Sequence, residues 1–115
     1  MSGYILWHNP RCSKSRATLN LLESRGITPT IRLYLEESPS ADELRAAIAM
    51  LGVPVSEVVR RGEKTWRELG LKDADDEDLL AAMVDHPILI ERPILFANGQ
   101  AAIGRPPENV LGLIV

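Results

Sequence analysis

Apolar and polar positions along the chain first predict a strand, a helix and a second strand. Residues 4–8 form an apolar run that ends at the turn-forming pair Asn9–Pro10, which predicts a strand buried on both faces. From Ser13 the apolar spacing is that of a helix, and Gly26 is suited to end it. Residues 30–35 alternate as a strand does. This order predicts a βαβ unit with a right-handed crossover.

The middle of the chain has helical patterns. Ser40 followed three residues later by Glu43 is a capping box, and Gly52 is suited to end the helix that it opens. Residues 64–69 form one or two helical turns, and the acidic cluster at 73–78 begins a further helix, where the dipole favours negative charge. The predicted buried faces of the two longer helices are Leu44, Ala47, Ile48 and Leu51, and Leu79, Leu80, Met83 and Val84.

The last quarter of the chain predicts a β-hairpin and a short helix. Residues 94–97 and 101–104 are the two strands, and Asn98–Gly99 between them is a strong hairpin signal. Residues 108–113 form the final helix. The whole order predicts an α/β fold with a mixed sheet and a helical insertion, in a single domain spanning residues 1–115.

Composition narrows the class of protein. The chain has 115 residues, of which 45% are hydrophobic and 25% charged, as is usual for a globular domain. No apolar run approaches the roughly 20 residues of a membrane span, and the N-terminus lacks the features of a signal peptide. We therefore expect a cytoplasmic protein that does not associate with membranes.

Charge points to a small anionic ligand. The net charge is −3, yet the segment 8–16 contributes +3 through Arg11, Lys14 and Arg16. A basic loop on an otherwise acidic chain suits a small oxyanion and argues against a nucleic-acid surface, which usually needs a broad basic face. One cysteine and two histidines are too few for a usual zinc site, so no metal is expected.

Cys12 is the candidate nucleophile. It is the single cysteine of the chain and lies where the first strand turns into the first helix. Unpaired N–H groups at a helix start, together with nearby cations, favour the thiolate, which is the reactive form. The alternative is that Cys12 is a small buried apolar residue. Its polar neighbours favour the reactive interpretation.

Three arginines are candidate oxyanion ligands. Arg60 lies in a polar turn, Arg92 precedes Pro93 at a strand start, and Arg105 precedes Pro106 at the end of the hairpin. The guanidinium fork suits oxyanions, although a single arginine is more often a surface residue. Their positions at the ends of elements favour a common site at the edge of the sheet.

These motifs together resemble a known family. The run HNPRCSKSR at 8–16, ERPI at 91–94 and GRPPE at 104–108 are similar to the glutaredoxin-coupled arsenate reductase (ArsC) family, especially its short, YfgD-like members. The similarity extends along essentially the whole chain, including LYLEE at 33–37. It implies a thioredoxin-like (glutaredoxin-like) fold with a helical insertion. In that fold the Arg92–Pro93 bond is expected to be cis.

The resemblance also implies roles for residues. Cys12 would attack arsenate, and Arg60, Arg92 and Arg105 would surround the oxyanion; spacing in the family favours Arg60 over Arg61. His8 would help to lower the pKa of the thiol, and its alternative role is that of a strand-end histidine with a satisfied hydrogen bond. Asn9 and Ser15 would be hydrogen-bonding residues of the same loop.

The implied reaction cycle needs external thiols and no bound cofactor. Glutathione would be the co-substrate and glutaredoxin the protein partner, in agreement with a chain that has no second cysteine to resolve an adduct at Cys12. Two other functions stay open. The C-x-x-S pattern at Cys12 suits a monothiol, glutathione-dependent oxidoreductase. An Spx-like regulatory binding protein would share the fold but leave the arginines unexplained.

Overall fold

The computed structural model describes residues 3–114 and has the predicted α/β order. The strands are β1 Tyr4–Trp7, β2 Thr30–Arg32, β3 Ile94–Ala97 and β4 Gln100–Ile103. The α-helices are α1 Ser13–Ser24, α2 Ala41–Leu51, α3 Lys64–Glu68 and α4 Asp76–Asp85. Short 3-10 helices lie at Val55–Glu57, Leu71–Asp73, Pro87–Leu89 and Pro107–Leu113. The predicted final helix is thus a 3-10 helix that begins at Pro107.

The chain divides into two compact units. The first holds the residues up to Glu37 and those from Arg92 onward, and the second is Ser38–Glu91. All four strands lie in the first unit, and α2, α3 and α4 lie in the second. The second unit is therefore the predicted helical insertion, and the single domain stays a prediction.

The sheet of the first unit has the order β2-β1-β3-β4. β1 and β2 are parallel, as the βαβ prediction required, and β3 pairs antiparallel with both β1 and β4. At the β3–β4 turn, Asn98 and Gly99 both have positive φ (55° and 73°), which is the backbone conformation of a two-residue type I′ hairpin. The mixed sheet is confirmed.

One face of the sheet is covered by α1 and the last 3-10 helix. Leu6, Leu22, Leu95 and Val110 are fully buried there and form one apolar cluster. Burial of four such side chains contributes about 1.5–3 kcal/mol each to the free energy of folding. This core fixes α1 against β1, and so fixes the loop between them where Cys12 lies.

Two strand predictions were wrong in detail. β1 is not buried on both faces, because Ile5 is 44% exposed. The second strand ends at Arg32 rather than at residue 35, because the N–H groups of Glu36 and Glu37 donate to the Leu33 carbonyl in a turn. The apolar residues that continue the alternation after Arg32 therefore lie in a turn and not in a strand.

The second unit is built on the predicted helix signals. The Ser40 side chain accepts from the Glu43 N–H while the Glu43 carboxylate accepts from the Ser40 N–H, which completes the capping box. Asp75 caps α4 by accepting from the Asp78 N–H. α2 packs on α4 with Leu44, Ala47, Leu79 and Met83 buried. Within residues 3–114, no helix has both the length and the apolar character needed to cross a bilayer.

Candidate active site

The loop between β1 and α1 is held by its own hydrogen bonds. The Cys12 N–H donates to the Asn9 carbonyl at 3.0 Å, and the Arg11 N–H donates to Asn9 Oδ1 at 3.0 Å. Arg16 Nη1 donates to the Pro10 carbonyl at 2.8 Å. These contacts set Cys12 at the N-cap of α1, with extended backbone angles and a partly exposed side chain.

His8 and Ser15 form a buried pair beneath this loop. His8 Nδ1 and Ser15 Oγ are 2.7 Å apart, and Ser15 Oγ also accepts from the Asn9 N–H at 3.0 Å. Because that N–H occupies a lone pair of Ser15 Oγ, the hydroxyl hydrogen can donate to Nδ1 of a neutral imidazole. The pair therefore anchors the first turn of α1 to the end of β1.

The His8 ring is neutral near pH 7. Burial lowers the pKa of His8 below 6.5, and the nearby positive charge of Arg16 lowers it further. A neutral ring carries no positive charge that could lower the pKa of the Cys12 thiol, so an effect of His8 would have to come through hydrogen bonding and position. The implied effect of His8 on the thiol pKa stays a prediction.

The Cys12 thiol has a pKa below its ordinary value of 9.0. Partial burial raises the pKa, but this is outweighed by the backbone N–H groups of Ser15 and Lys14 and by the charge and hydrogen bonding of the Arg92 guanidinium. The two N–H groups belong to the first turn of α1, where they have no partner within the helix and can stabilise a charged sulfur. The site therefore favours the thiolate.

The cation that acts on the thiol is Arg92, and not those of the loop. Arg11, Lys14 and Arg16 were expected to lower the thiol pKa, but their side chains are exposed, where water and salt screen their charges. Arg92 is half-buried beside Cys12. Proximity along the sequence was a poor guide to which charge the sulfur experiences.

Two of the predicted arginines flank the β3–β4 hairpin: Arg92 lies before β3 and Arg105 lies after β4. The Arg92–Pro93 bond is cis, as predicted, and the Arg105–Pro106 bond is also cis, which was not predicted. The Gly104 N–H donates to the Pro93 carbonyl at 2.9 Å, so the two arginine segments are tied together. Arg105 is exposed, and its carbonyl accepts from Asn109 Nδ2 at 3.0 Å. The first unit thus brings Cys12 and Arg92 together.

Arg60 belongs to the second unit. Its Nη1 donates to the Ile88 carbonyl at 3.2 Å, and its Nη2 lies 3.4 Å from a Glu63 carboxylate oxygen. The neighbouring Arg61 is exposed and donates to the Ser56 carbonyl at 3.4 Å. Arg60 is the more fixed of the two. Its membership of an oxyanion site with Cys12 stays a prediction.

A comparison with protein families settles the relationship. The model of the ArsC family matches residues 7–113. The chain belongs to the ArsC family. It is 50% identical over 112 residues to the uncharacterised protein YfgD of Escherichia coli, covering 95% of this chain and 94% of that one. It is 47% identical over 108 residues to a protein named arsenate reductase from Neisseria meningitidis, covering 91% and 92%.

Solved structures agree with this ArsC membership. The chain superposes on an arsenate reductase from Vibrio cholerae with a TM-score of 0.94 at 50% identity, covering 96% of this chain and 97% of that one. A putative arsenate reductase from Yersinia pestis gives a TM-score of 0.90 at 48% identity, with coverage of 95% and 98%. The thioredoxin-like fold of ArsC proteins, with its helical insertion, is therefore confirmed.

Thr18 is a buried contact of this ArsC site that the sequence did not indicate. It is fully buried in α1, and its Oγ1 donates to the Lys14 carbonyl at 2.9 Å and reaches the Gly104 carbonyl at 3.4 Å. Thr18 and Gly104 are 86 positions apart. A threonine on a helix face carries no signal for such a contact.

The thiol should titrate below its ordinary pKa. Absorbance near 240 nm, which reports the thiolate, is expected to rise with pH to a midpoint below 9.0, because two amides and Arg92 favour the charged form. A Cys12→Ser variant, which lacks the thiol, supplies the blank. A midpoint of 9.0 or above would contradict the activated thiol.

Gly104 should not tolerate a side chain. A Cβ there would lie 2.5 Å from Thr18 Oγ1 and 2.9 Å from Pro93 Cγ. Thr18 is fully buried, so making room for the new methyl group must displace packed atoms, and Gly104→Ala is expected to lower the free energy of unfolding by about 1–3 kcal/mol in urea denaturation. Gly112→Ala, whose Cβ would meet no atom within 4 Å, is the control. Equal stability of the two variants would refute the contact.

His8 should make stability depend on pH. Its pKa is lower in the folded chain than its ordinary 6.5, so the unfolded chain binds more protons between the two values. The free energy of unfolding should therefore rise with pH through that window. The contribution of neutral His8 to it should be fully present above pH 6.5 and should be lost as the pH falls through the pKa of the folded chain. Urea denaturation at a series of pH values should show a flatter profile for His8→Gln. The exposed His86→Gln should keep the wild-type profile.

Proposed function

We propose that this protein is an arsenate reductase in which the Cys12 thiolate attacks arsenate, with glutathione and glutaredoxin supplying the electrons. The observation that carries the proposal is the lowered pKa of Cys12 at the start of α1, with Arg92 beside it. The names of relatives support it, since proteins called arsenate reductase are 40–47% identical to this chain.

Oxyanion binding would use the same groups that favour the thiolate. Arsenate is a tetrahedral anion, and a helix N-terminus offers N–H groups and a positive dipole end to such a ligand. The first turn of α1 contains Ser13, Lys14 and Ser15 and no carboxylate that would compete. Arg92, with Arg105 and Arg60 as further ligands, would offset the repulsion between thiolate and oxyanion.

The first chemical step forms a sulfur–arsenic bond. The Cys12 thiolate donates its electron pair to arsenic, one arsenate oxygen takes up protons and leaves as water, and arsenic stays pentavalent. Cations and amides stabilise the charge that builds on the oxygens in the transition state. We assign this role to Arg92, since the charge and hydrogen bonding of its guanidinium lower the pKa of Cys12.

Reduction then needs two further thiols. Arsenic gains two electrons and leaves as arsenite, while the two thiols lose two electrons and two protons and become a disulfide. Cys12 is the single cysteine of the chain, so an internal disulfide cannot form and these thiols must come from outside. We infer that glutathione supplies the first and glutaredoxin the second, in the cytoplasm.

A coupled assay tests the proposal. NADPH oxidation is followed with glutathione, glutathione reductase and glutaredoxin, and arsenate is compared with a glutathionylated peptide. The proposal expects arsenate-dependent oxidation that is lost when glutaredoxin or glutathione is omitted. Oxidation with the peptide alone would overturn the substrate and favour the monothiol oxidoreductase suggested by the C-x-x-S pattern.

A further inference from the structure

A groove lies beside the Cys12 loop on the first unit. Its volume is about 310 Å³, and its lining comes from two short segments: residues 8–11, which follow β1, and Leu33, Leu35 and Glu36 after β2. The Asn9 carbonyl accepts from the Cys12 N–H at 3.0 Å, so a wall of the groove is directly bonded to the backbone of the nucleophile. The size is at the lower end of the roughly 300–1,000 Å³ of small-ligand sites.

The lining of the groove combines apolar side chains with one positive and one negative side chain. Leu33 and Leu35 supply apolar surface, and Leu35 is 38% exposed, so that a ligand in the groove can contact it. Arg11 and Glu36 are exposed charged residues of the lining. Within residues 3–114 neither side chain forms an ion pair, so both charges are available to a ligand.

This pattern fits a small zwitterionic peptide. The γ-glutamyl end of glutathione carries an ammonium and a carboxylate, and its side-chain methylenes are apolar. The carboxylate is complementary to the Arg11 guanidinium and the ammonium to the Glu36 carboxylate, while the methylenes suit Leu33 and Leu35. An inorganic oxyanion would use Arg11 alone and would be repelled by Glu36.

We propose that this groove binds the γ-glutamyl end of glutathione and directs its thiol towards the adduct on Cys12. The assignment of glutathione as reductant rests on the proposed function, but binding in the groove is a separate property of the chain. It makes Arg11 and Glu36 positioning residues for the co-substrate, distinct from the arginines proposed for the oxyanion.

The binding experiment uses S-methylglutathione, which cannot react at sulfur. In a two-dimensional amide NMR titration, shift changes are expected at His8, Asn9 and Arg11 and at residues 33–36. Arg11→Gln and Glu36→Gln should each raise the Kd roughly two- to fivefold, as expected for one exposed charge contact. The matched controls Arg25→Gln and Glu23→Gln, both exposed on or beside α1, should leave the Kd unchanged.

A ligand lacking the ammonium tests which charge meets Glu36. S-methylglutathione without its amino group should bind wild type about two- to fivefold more weakly, and Glu36→Gln should not weaken it further. Arg11→Gln should still weaken it. Shift changes confined to residues around Pro93 and Arg105, no saturable binding, or target variants that match their controls would each overturn the groove assignment.

The kinetic arm separates this inference from the proposed function. With saturating arsenate, Arg11→Gln and Glu36→Gln should raise the KM for glutathione two- to fivefold with little change in kcat, whereas the KM for arsenate should stay unchanged. If no arsenate is reduced but S-methylglutathione binds in the groove, the substrate proposal fails and the groove stands. If arsenate is reduced but both variants keep the wild-type KM for glutathione, the groove assignment fails and the substrate proposal stands.

Discussion

Cys12→Ser is expected to reduce arsenate-dependent NADPH oxidation to the rate without enzyme. A serine hydroxyl is close in size to the thiol, so α1 and its loop should keep their geometry. The hydroxyl is not ionised near neutral pH, however, and cannot provide the soft sulfur ligand on which the proposed adduct depends. Unchanged urea denaturation would separate this chemical loss from misfolding.

The control for Cys12→Ser is Ser13→Ala. Ser13 is the neighbouring residue, and its side chain is exposed; only its backbone belongs to the turn proposed to bind arsenate, and Ser13→Ala leaves that backbone unchanged. It should keep most of the activity. Turnover by Cys12→Ser above the blank would remove the nucleophile from the proposal, whatever the thiol titration shows.

Arg92→Ala is expected to lower kcat/KM for arsenate about ten- to 150-fold. The charged hydrogen bonds of one guanidinium contribute about 1.5–3 kcal/mol, and this is the free energy lost from the transition state. The same substitution should raise the pKa of Cys12, because the charge and hydrogen bonding of Arg92 lower it. Steady-state kinetics and the absorbance titration measure the two effects independently.

Arg92→Lys and Arg25→Ala complete this test. Lysine keeps the charge but loses the planar fork, so it should restore part of the thiol pKa shift and less of kcat/KM. Arg25 is exposed at the end of α1, and its replacement should change neither quantity. If Arg92→Ala behaves as Arg25→Ala does, the assignment of Arg92 to the oxyanion and the thiolate is wrong.

The sequence predicted elements whose signals are local. The Ser40–Glu43 capping box and the Asn98–Gly99 turn are defined by residues within a few positions, and both occur as expected. The end of β2 was missed because the alternation of residues 30–35 carries no information about the turn closed on the Leu33 carbonyl.

The candidate site was predicted less completely, because its contacts are long-range. Cys12 and its loop could be identified from neighbouring residues, but the dominance of Arg92 over the loop cations depends on burial and on distance in the fold. The contact between Thr18 and Gly104 joins positions 86 apart, and a single sequence has no signal for it. The groove likewise depends on two segments that only the parallel β1–β2 pairing brings together.

The dependence of Cys12 on Arg92 has a consequence for the newly made chain. Arg92 is 80 positions beyond the cysteine, so it leaves the ribosome long after the thiol does. Before then α1 lacks its packing partners in β3 and the last 3-10 helix, and an isolated helix of 12 residues is only marginally stable. We therefore expect the pKa of the nascent thiol to be higher, and its reactivity towards oxidants lower, than in the folded chain. The rate at which Cys12 is alkylated, measured on ribosome-bound chains of increasing length, should then show at which length the native fold forms.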